Sequence, residues 1–504
     1  MNNEIINEIK ILIAAKYPLI YIESWEEDRV EQVLKNIADE LNKKIYFWSI
    51  TTGFVEKNPK GSLNDNLSKQ SMDFIFALKY FLQSNENAVF VFKNFHLFMN
   101  NDVIKILLKD IAREVTKSKK SFIILSPVTV IPVELSKEIT IIDFPLPDIN
   151  DLNDILDALI NSAKQNPKFK VELKEDEKER ILKAALGLTM VEAENVFARA
   201  IVENNSLNID DIKLIIQEKK QIIRKSGILE FIESGEDINS IGGLENLKEW
   251  VIKRTRAFTE EAKNFGLPEP KGILLLGVQG CGKSLSAKAI SAIWKLPLLR
   301  LDVGAVFGKY VGESEANIRK TIFIAESIAP VILWIDEIEK AFLGVSNSSD
   351  SGTSSRVFGT VLTWLQEKTK PVFVIATSND ITSLPPELIR KGRFDELFFV
   401  DLPNSNEREE IFKIHLIKRK QNIENFDLKE LAKLSEGFSG AEIEQCVISA
   451  MYDAFDERRN LTNDDLIENI KKTVPLSITA KDKIDWLRNW AKEKCVFASK
   501  KEVQ

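Results

Sequence analysis

The fold class to expect is α/β, with two sheets of mostly parallel strands, and three observations lead there. Short apolar runs alternate with stretches of helical periodicity as far as Asn150, and again between Ile273 and Val400, the pattern of parallel strands joined by crossover helices. Between the apolar run Gly272-Ile273-Leu274-Leu275-Leu276 and a helical stretch from Leu285 to Ile293 lies Gly277-Val278-Gln279-Gly280-Cys281-Gly282-Lys283-Ser284, a glycine-rich strand-to-helix turn. Segments of the first half also recur in the second half in steady register.

Length and composition narrow the class further. With 504 residues and 44% hydrophobic content the chain exceeds one core and should divide into domains. A net charge of -7 gives nucleic acid no bulk attraction. Cys281, Cys446 and Cys495 are scattered, without disulfide or metal-ligand spacing. No apolar run approaches about 18 residues and the opening Met1-Asn2-Asn3-Glu4 is no signal peptide. A cytoplasmic protein of a reducing compartment, with no membrane partner and nucleic acid disfavoured, is the expectation.

In chain order, strand-like runs begin at Pro18, Lys44, Val89, Ser121 and Ile139, and helical stretches cover Asp28 to Leu41, Met72 to Leu82 and Val103 to Thr116. From Asn150 to Gln217 no strand candidate remains, which predicts a helical annex. Gly187-Leu188-Thr189-Met190-Val191-Glu192 recurs as Gly437-Phe438-Ser439-Gly440-Ala441-Glu442, and Leu207-Asn208-Ile209-Asp210-Asp211 as Leu461-Thr462-Asn463-Asp464-Asp465, at offsets of 250 and 254. One ancestral unit used twice accounts for such register. Where the first copy should carry a glycine loop it reads Glu23-Ser24-Trp25-Glu26-Glu27-Asp28, with four carboxylates to repel a triphosphate. After its third strand-like run stands Lys93-Asn94. Residues 1–220 are therefore expected to be a nucleotide-free structural or docking domain, and His96 a surface or core residue.

Residues 221–237 read as a charged linker. Ile238-Asn239-Ser240-Ile241-Gly242-Gly243-Leu244 then opens a core over 238–403, its glycines permitting backbone approach to a flat ring. Runs starting at Ile273, Leu298, Val331, Val372 and Leu397 give its sheet. In the strand-loop-helix setting the glycines let backbone N–H groups close around a phosphate. Lys283 then reaches the β- and γ-phosphates, Ser284 ligates Mg²⁺, and Leu285 continues the helix whose N-terminus faces the anion. Val331-Ile332-Leu333-Trp334-Ile335 ends in Asp336-Glu337; Asp336 would order Mg²⁺ and Glu337 polarise the attacking water. Asn379, past the run from Val372, would orient that water or sense the γ-phosphate. Arg390 and Arg393 suit a neighbour's γ-phosphate, although spacing alone fits solvated surface arginines as well. Cys281, at a helix N-terminus, would be biased toward thiolate; a small residue that merely fits the loop is the plainer reading. A lid over 404–475 and a helical tail over 476–504, with Trp486 and Trp490 on one face, complete the chain.

As a set, these residues resemble the AAA+ ATPases, especially the subgroup of proteasomal and membrane-protease ATPases, over about Ile238 to Pro475. Closer still, the degenerate first unit, the Gly-Val-Gln-Gly-Cys-Gly-Lys-Ser loop and the Pro-Leu-Ser tail resemble the conserved plastid and cyanobacterial reading-frame ATPases, which makes the plastid stroma an alternative location. The resemblance implies a P-loop NTPase sheet with a C-terminal helical lid, preceded by a degenerate AAA-like α/β domain. It also implies a homo-hexameric ring with ATP at subunit interfaces. Tyr310, Val311 and Gly312 would form an axial pore loop gripping a polypeptide, and Gly344 to Arg356 a second one. His415 would lie by the nucleotide, and Gly440-Ala441 would stand where other members carry a second-sensor arginine. No His-Glu-x-x-His occurs, so the protease of the membrane-protease relatives is absent from this sequence. The function implied is an ATP-driven ring that remodels or unfolds a protein substrate or acts with an adaptor; a nucleotide-gated scaffold and a nucleic-acid-directed machine are the alternatives.

Overall fold

The computed structural model describes residues 3–56, 65–164, 170–171, 173–204, 206–208, 211–232, 241–306, 313–341, 351–390 and 392–500. Contacts divide the chain into two units, Met1–Ile216 and Gln217–Gln504.

The first unit is built on β1 (Leu19–Glu23), β2 (Lys44–Ser49), β3 (Gly53–Glu56), β4 (Ala88–Lys93), β5 (Ser121–Ser126) and β6 (Ile139–Asp143), in the order β3-β2-β4-β5-β1-β6. All neighbours run parallel except the hairpin β2-β3. Successive residues of a strand face opposite ways. Phe90, Phe92, Tyr46 and Trp48 therefore join an aromatic core on one face, while Val89, Val91, Ile45 and Phe47 join an aliphatic one on the other. Both faces are covered, which is why these strands read as unbroken apolar runs. The annex, expected to lack strands, carries a minimal parallel pair, β7 (Lys170–Val171) with β8 (Ser206–Leu207).

The second unit holds β9 (Leu229–Ile232), β10 (Gly272–Gly277), β11 (Leu298–Leu301), β12 (Val331–Ile335), β13 (Val372–Ser378), β14 (Glu396–Val400) and β15 (Val496–Phe497), ordered β15-β14-β10-β13-β12-β11-β9. Strands β10 to β14 are parallel. Their order repeats that of β1, β2, β4, β5 and β6 in the first unit, so the two sheets share one topology. Two expectations need correction. The segment read as a linker contains β9, which pairs antiparallel with β11, and the tail read as helical follows its helix Lys481–Lys494 with β15, parallel to β14. Both strands are short and lie on sheet edges, where half-buried chain leaves little apolar pattern to read.

The lids match at their helix starts. Helix Ile149–Ala163 is capped by Asp148 and Asp151, and helix Ser405–Lys418 by Asn404 and Glu407, each pair as a reciprocal capping box. The backbone N–H of Thr189 donates to Glu192 (2.9 Å) and that of Ser439 to Glu442 (2.7 Å). Likewise Asn208 N–H donates to Asp211 (2.8 Å) and Thr462 N–H to Asp465 (2.9 Å). The sequence offsets thus coincide with matched caps.

Candidate nucleotide site

Strand β10 enters the phosphate-type loop through Gly277, whose φ of +140° and whose hydrogen-side approach to Val400 O, 2.0 Å from where a Cβ would stand, admit only glycine. Gly277 and Val278, expected to touch nucleotide, are buried and outside the cleft lining, and Val278 N–H donates to Val400 O at 3.0 Å. Gln279, Gly280, Cys281, Gly282, Lys283, Ser284 and Leu285 line a cleft of about 420 Å³. Lys283 is buried and donates its ammonium to Gly277 O (2.9 Å) and Val278 O (2.7 Å). Burial draws its pKa down to about 8, against the pull of nearby acids. Helix Lys283–Trp294 then starts with its N–H groups toward the cleft.

At the end of β12, Asp336 Oδ1 accepts from Ser284 Oγ (3.1 Å) and from Thr377 Oγ1 (2.6 Å). Glu337 follows with φ +50°, a left-handed conformation unusual for this residue type. Its N–H donates to Thr377 Oγ1 (3.0 Å), its Oε1 accepts from Asn379 Nδ2 (3.1 Å), and its Oε2 pairs with Lys340. Thr377, missed in the sequence reading, thus ties both acids to β13; a hydroxyl in an apolar strand run was the available signal.

The lid closes the cleft from the other side. Ala441 N–H, in the first turn of helix Gly440–Asp456, donates to Gly280 O at 3.0 Å. Gly242 sits against the first lid helix, where a Cβ would meet Ile411 Cγ1 at 2.7 Å. Ile241, Gly242, Ile411, Ile414, His415, Gly440 and Ala441 all line the cleft, as do Asp401, Lys418 and Glu444. His415 Nδ1 lies 3.2 Å from an Arg419 nitrogen and 3.5 Å from Glu444 Oε1. Glu444 is pushed up by burial but held below the ordinary carboxylate range by Arg419 and by the charges of His415 and Lys418.

One sequence expectation falls out differently. The bias of Cys281 toward thiolate is not borne out: burial pushes the thiol up to about 12, against the pull of nearby Lys283. Arg390, exposed, and Arg393, half-buried, are outside the lining of their own chain's cleft. Tyr310, Val311, Gly312 and most of Gly344 to Arg356 lie outside the described residues.

The glycine loop, the N-terminus of the helix that follows it and the Ser284–Asp336 pair fit a nucleoside triphosphate with a divalent cation. Ser284 and Asp336 would hold the cation, and a cation that keeps several waters and shares phosphate oxygens needs no larger protein cage. Among the described residues, no group of three His, Cys, Asp or Glu side chains could hold a metal by itself.

Family models agree with this anatomy. One described as "ATPase family associated with various cellular activities (AAA)" matches residues 273–402, and an AAA+ lid domain matches 425–469. The N-terminal and second domains of SpoVK-like AAA ATPases match 5–144 and 150–226. The AAA domain-containing protein ycf46 of Trieres chinensis is 43% identical over 487 residues, covering 96% of each chain. The chain belongs to the ycf46 family of AAA ATPases. The Guillardia theta ycf46 protein is 42% identical, with 96% of this chain and 94% of that protein covered. The proteasome-activating nucleotidase of Thermococcus onnurineus is 31% identical over 295 residues, covering 56% of this chain and 72% of that one. As an AAA ATPase the protein binds nucleotide and hydrolyses ATP.

The first unit of this ycf46-family ATPase arranges the corresponding cleft differently. Three residues, Ser24 to Glu26, join β1 to helix Glu27–Glu40, where five, Val278 to Gly282, join β10 to its helix. Glu26 Oε1 accepts from Met190 N–H (2.6 Å), the start of the lid helix Met190–Asn204, so a carboxylate holds the helix end that Gly280 O holds in the second unit. Arg29 binds Glu26 (2.7 Å), Asp151 of the lid (2.9 Å) and Pro145 O (2.6 Å), all nearly buried. Lys93 pairs with Glu31 (2.8 Å) and Glu27 (3.4 Å), and Asn94 Nδ2 donates to Glu27 Oε1 (2.7 Å). Relative to Lys283 and Asp336-Glu337, acid and base have exchanged places. Of the four carboxylates expected to repel a triphosphate, Glu26 and Glu27 are engaged with cations of the same unit.

Replacing Arg29 with Ala strands Glu26 and Asp151 without their shared cation, a loss of about 3–5 kcal/mol for a buried pair. Amide exchange in helix Met190–Asn204 of the Arg29→Ala chain should rise accordingly; protection equal to wild type would show that the lid does not depend on this tie.

Proposed function

We propose that the chain works as an ATP- and Mg²⁺-dependent homo-hexameric ring that unfolds or remodels protein. The observation that carries this reading is the joining of Lys283, the Ser284–Asp336 pair and the Glu337–Asn379 pair in one cleft roofed by the lid. Support also comes from the relatives named as proteasome-activating nucleotidases, since that name describes an ATPase that serves a protein-degrading partner. In this reading Lys283 moves its ammonium from the loop carbonyls to the phosphates. Glu337, held by Asn379, takes a proton from the attacking water. Arg390 and Arg393, outside the lining of their own cleft, serve that of the next subunit, and Tyr310 with Val311 and Gly312 grips the substrate. Among the described residues no helix is long and apolar enough to cross a membrane, and the acidic balance disfavours nucleic acid as the substrate.

Three measurements bear on the proposal. Glu337→Gln should retain ATP affinity while kcat falls by about 10²- to 10⁴-fold, the range for losing a general base, and Lys283→Ala should lose binding; steady-state turnover near wild type in both would remove the assignment. Mixing assembly-competent Lys283→Ala subunits with Arg390→Ala/Arg393→Ala subunits should restore part of the turnover if the arginines act across an interface, whereas inactive mixtures at every ratio would place them within the subunit. Because the first-unit cleft is occupied by its own ion pairs, the full chain should titrate calorimetrically with one ATP, and a saturable site persisting in Lys283→Ala would contradict a nucleotide-free first unit.

A further inference from the structure

We propose that Glu339 is a positioning residue for hydrolysis, fixing Asn379 so that Asn379 can fix Glu337. The proposal rests on Glu337 being the base. The left-handed turn at Glu337 leads directly into the 3-10 helix Ile338–Ala341, which returns Glu339 to the carboxyl edge of the sheet, where it is 6% exposed. A carboxylate withdrawn from water is costly unless it is well bonded. Glu339 Oε1 accepts the backbone N–H of Asn379 at 2.9 Å, and its Oε2 is buried with no hydrogen-bond donor among the described residues. An acid so placed adds little to folding stability by itself, which points to a role in what it holds.

What it holds is the first residue beyond β13. Asn379 leaves the strand ladder at Ser378, and its main-chain N–H bonds sideways to Glu339, across the ends of the neighbouring strands β12 and β13. Its side chain then donates to Glu337 Oε1 at 3.1 Å. Two carboxylates separated by Ile338 therefore grip one asparagine, one by its backbone and one by its amide, and close a ring of bonds around the catalytic edge. The second oxygen of Glu337 pairs with exposed Lys340, a contact that solvent screens. Asn379 is the more protected restraint on the base, and it restrains only while its own backbone is fixed. Misplacement of a reacting group by about 1 Å costs on the order of 10²-fold in rate.

A double-mutant cycle on the full-length chain tests this. Glu339→Ala should lower kcat by about 10- to 100-fold while the affinity for a non-hydrolysable ATP analogue stays within about twofold, and Glu339→Gln, whose amide oxygen can still accept from Asn379, should recover much of the loss. Combined with Asn379→Ala, Glu339→Ala should add no further loss beyond about twofold, because residues acting in series are not additive. Multiplicative losses in the double variant, or an affinity that falls in step with kcat, would overturn the proposal. If Glu339→Ala does not fold, the same cycle is run with Glu339→Asp, whose shorter side chain withdraws the carboxylate from Asn379, and multiplicative losses again overturn the proposal. Glu337→Gln is measured in parallel: its full turnover would reject the base assignment itself, independently of Glu339.

Discussion

The second unit depends on one short approach, that of the lid helix to the glycine loop. Ala441 N–H meets Gly280 O at 3.0 Å, and a Cβ on Gly280 would stand 3.0 Å from Ala441 Cβ and 3.1 Å from Ser439 Oγ. Gly280, at φ +77°, is thus constrained both by its own conformation and by its neighbour. The loop's carbonyl is taken by the lid, so its N–H groups are left to face the cleft, and the dipole end of the helix after it points the same way. This division of the loop's backbone between two tasks is what suits the loop to the anion that the proposed function assigns to it.

The first unit keeps the approach and changes its chemistry. There the lid helix is met by a side chain, Glu26, and the balancing positive charge comes from within the protein as Arg29. The exchange extends to the neighbouring strand end, where Lys93-Asn94 stands in the place of Asp336-Glu337. Both Asn94 (φ +54°) and Glu337 (φ +50°) adopt the left-handed conformation. Asparagine tolerates it because its short amide bonds locally, whereas for other non-glycine residues it costs about 1–2 kcal/mol. The turn is one the topology asks for at that strand end, and only in the ATPase unit is it made by a residue that suits the chemistry better than the backbone.

Much of this was legible in the residues. Strands buried on both faces, such as Val89 to Phe92 and Val331 to Ile335, announce themselves as continuous apolar runs, and the loop Gly277 to Ser284 carries its mechanism in its spacing. The matched lids were legible through Thr189/Ser439 and Asp211/Asp465, because a cap fixes a polar residue at a set distance from its partner. What was not legible depends on partners distant in sequence. Strands β3, β9 and β15 exist because a neighbour offers a ladder, Thr377 and Glu339 matter through what they touch across the sheet, and Cys281 is governed by burial that no local pattern encodes. Glu26 and Glu27 of the first unit were visible, but their cations, Arg29 and Lys93, could be assigned to them only in space.

The placement of β15 bears on how the lid is attached. Strands β14 and β15 are neighbours in one sheet, yet the whole lid lies between them in the chain, and Arg488 on the helix before β15 is bonded to both oxygens of Asp401 just past β14, at 3.0 and 2.9 Å. Asn246 clamps the far side of β15 by donating to Phe497 O and Ser499 O. The chain that carries the lid thus leaves the sheet past β14 and returns to it beside the same strand, and the Asp401–Arg488 ion pair ties the two ends of that excursion together at its base.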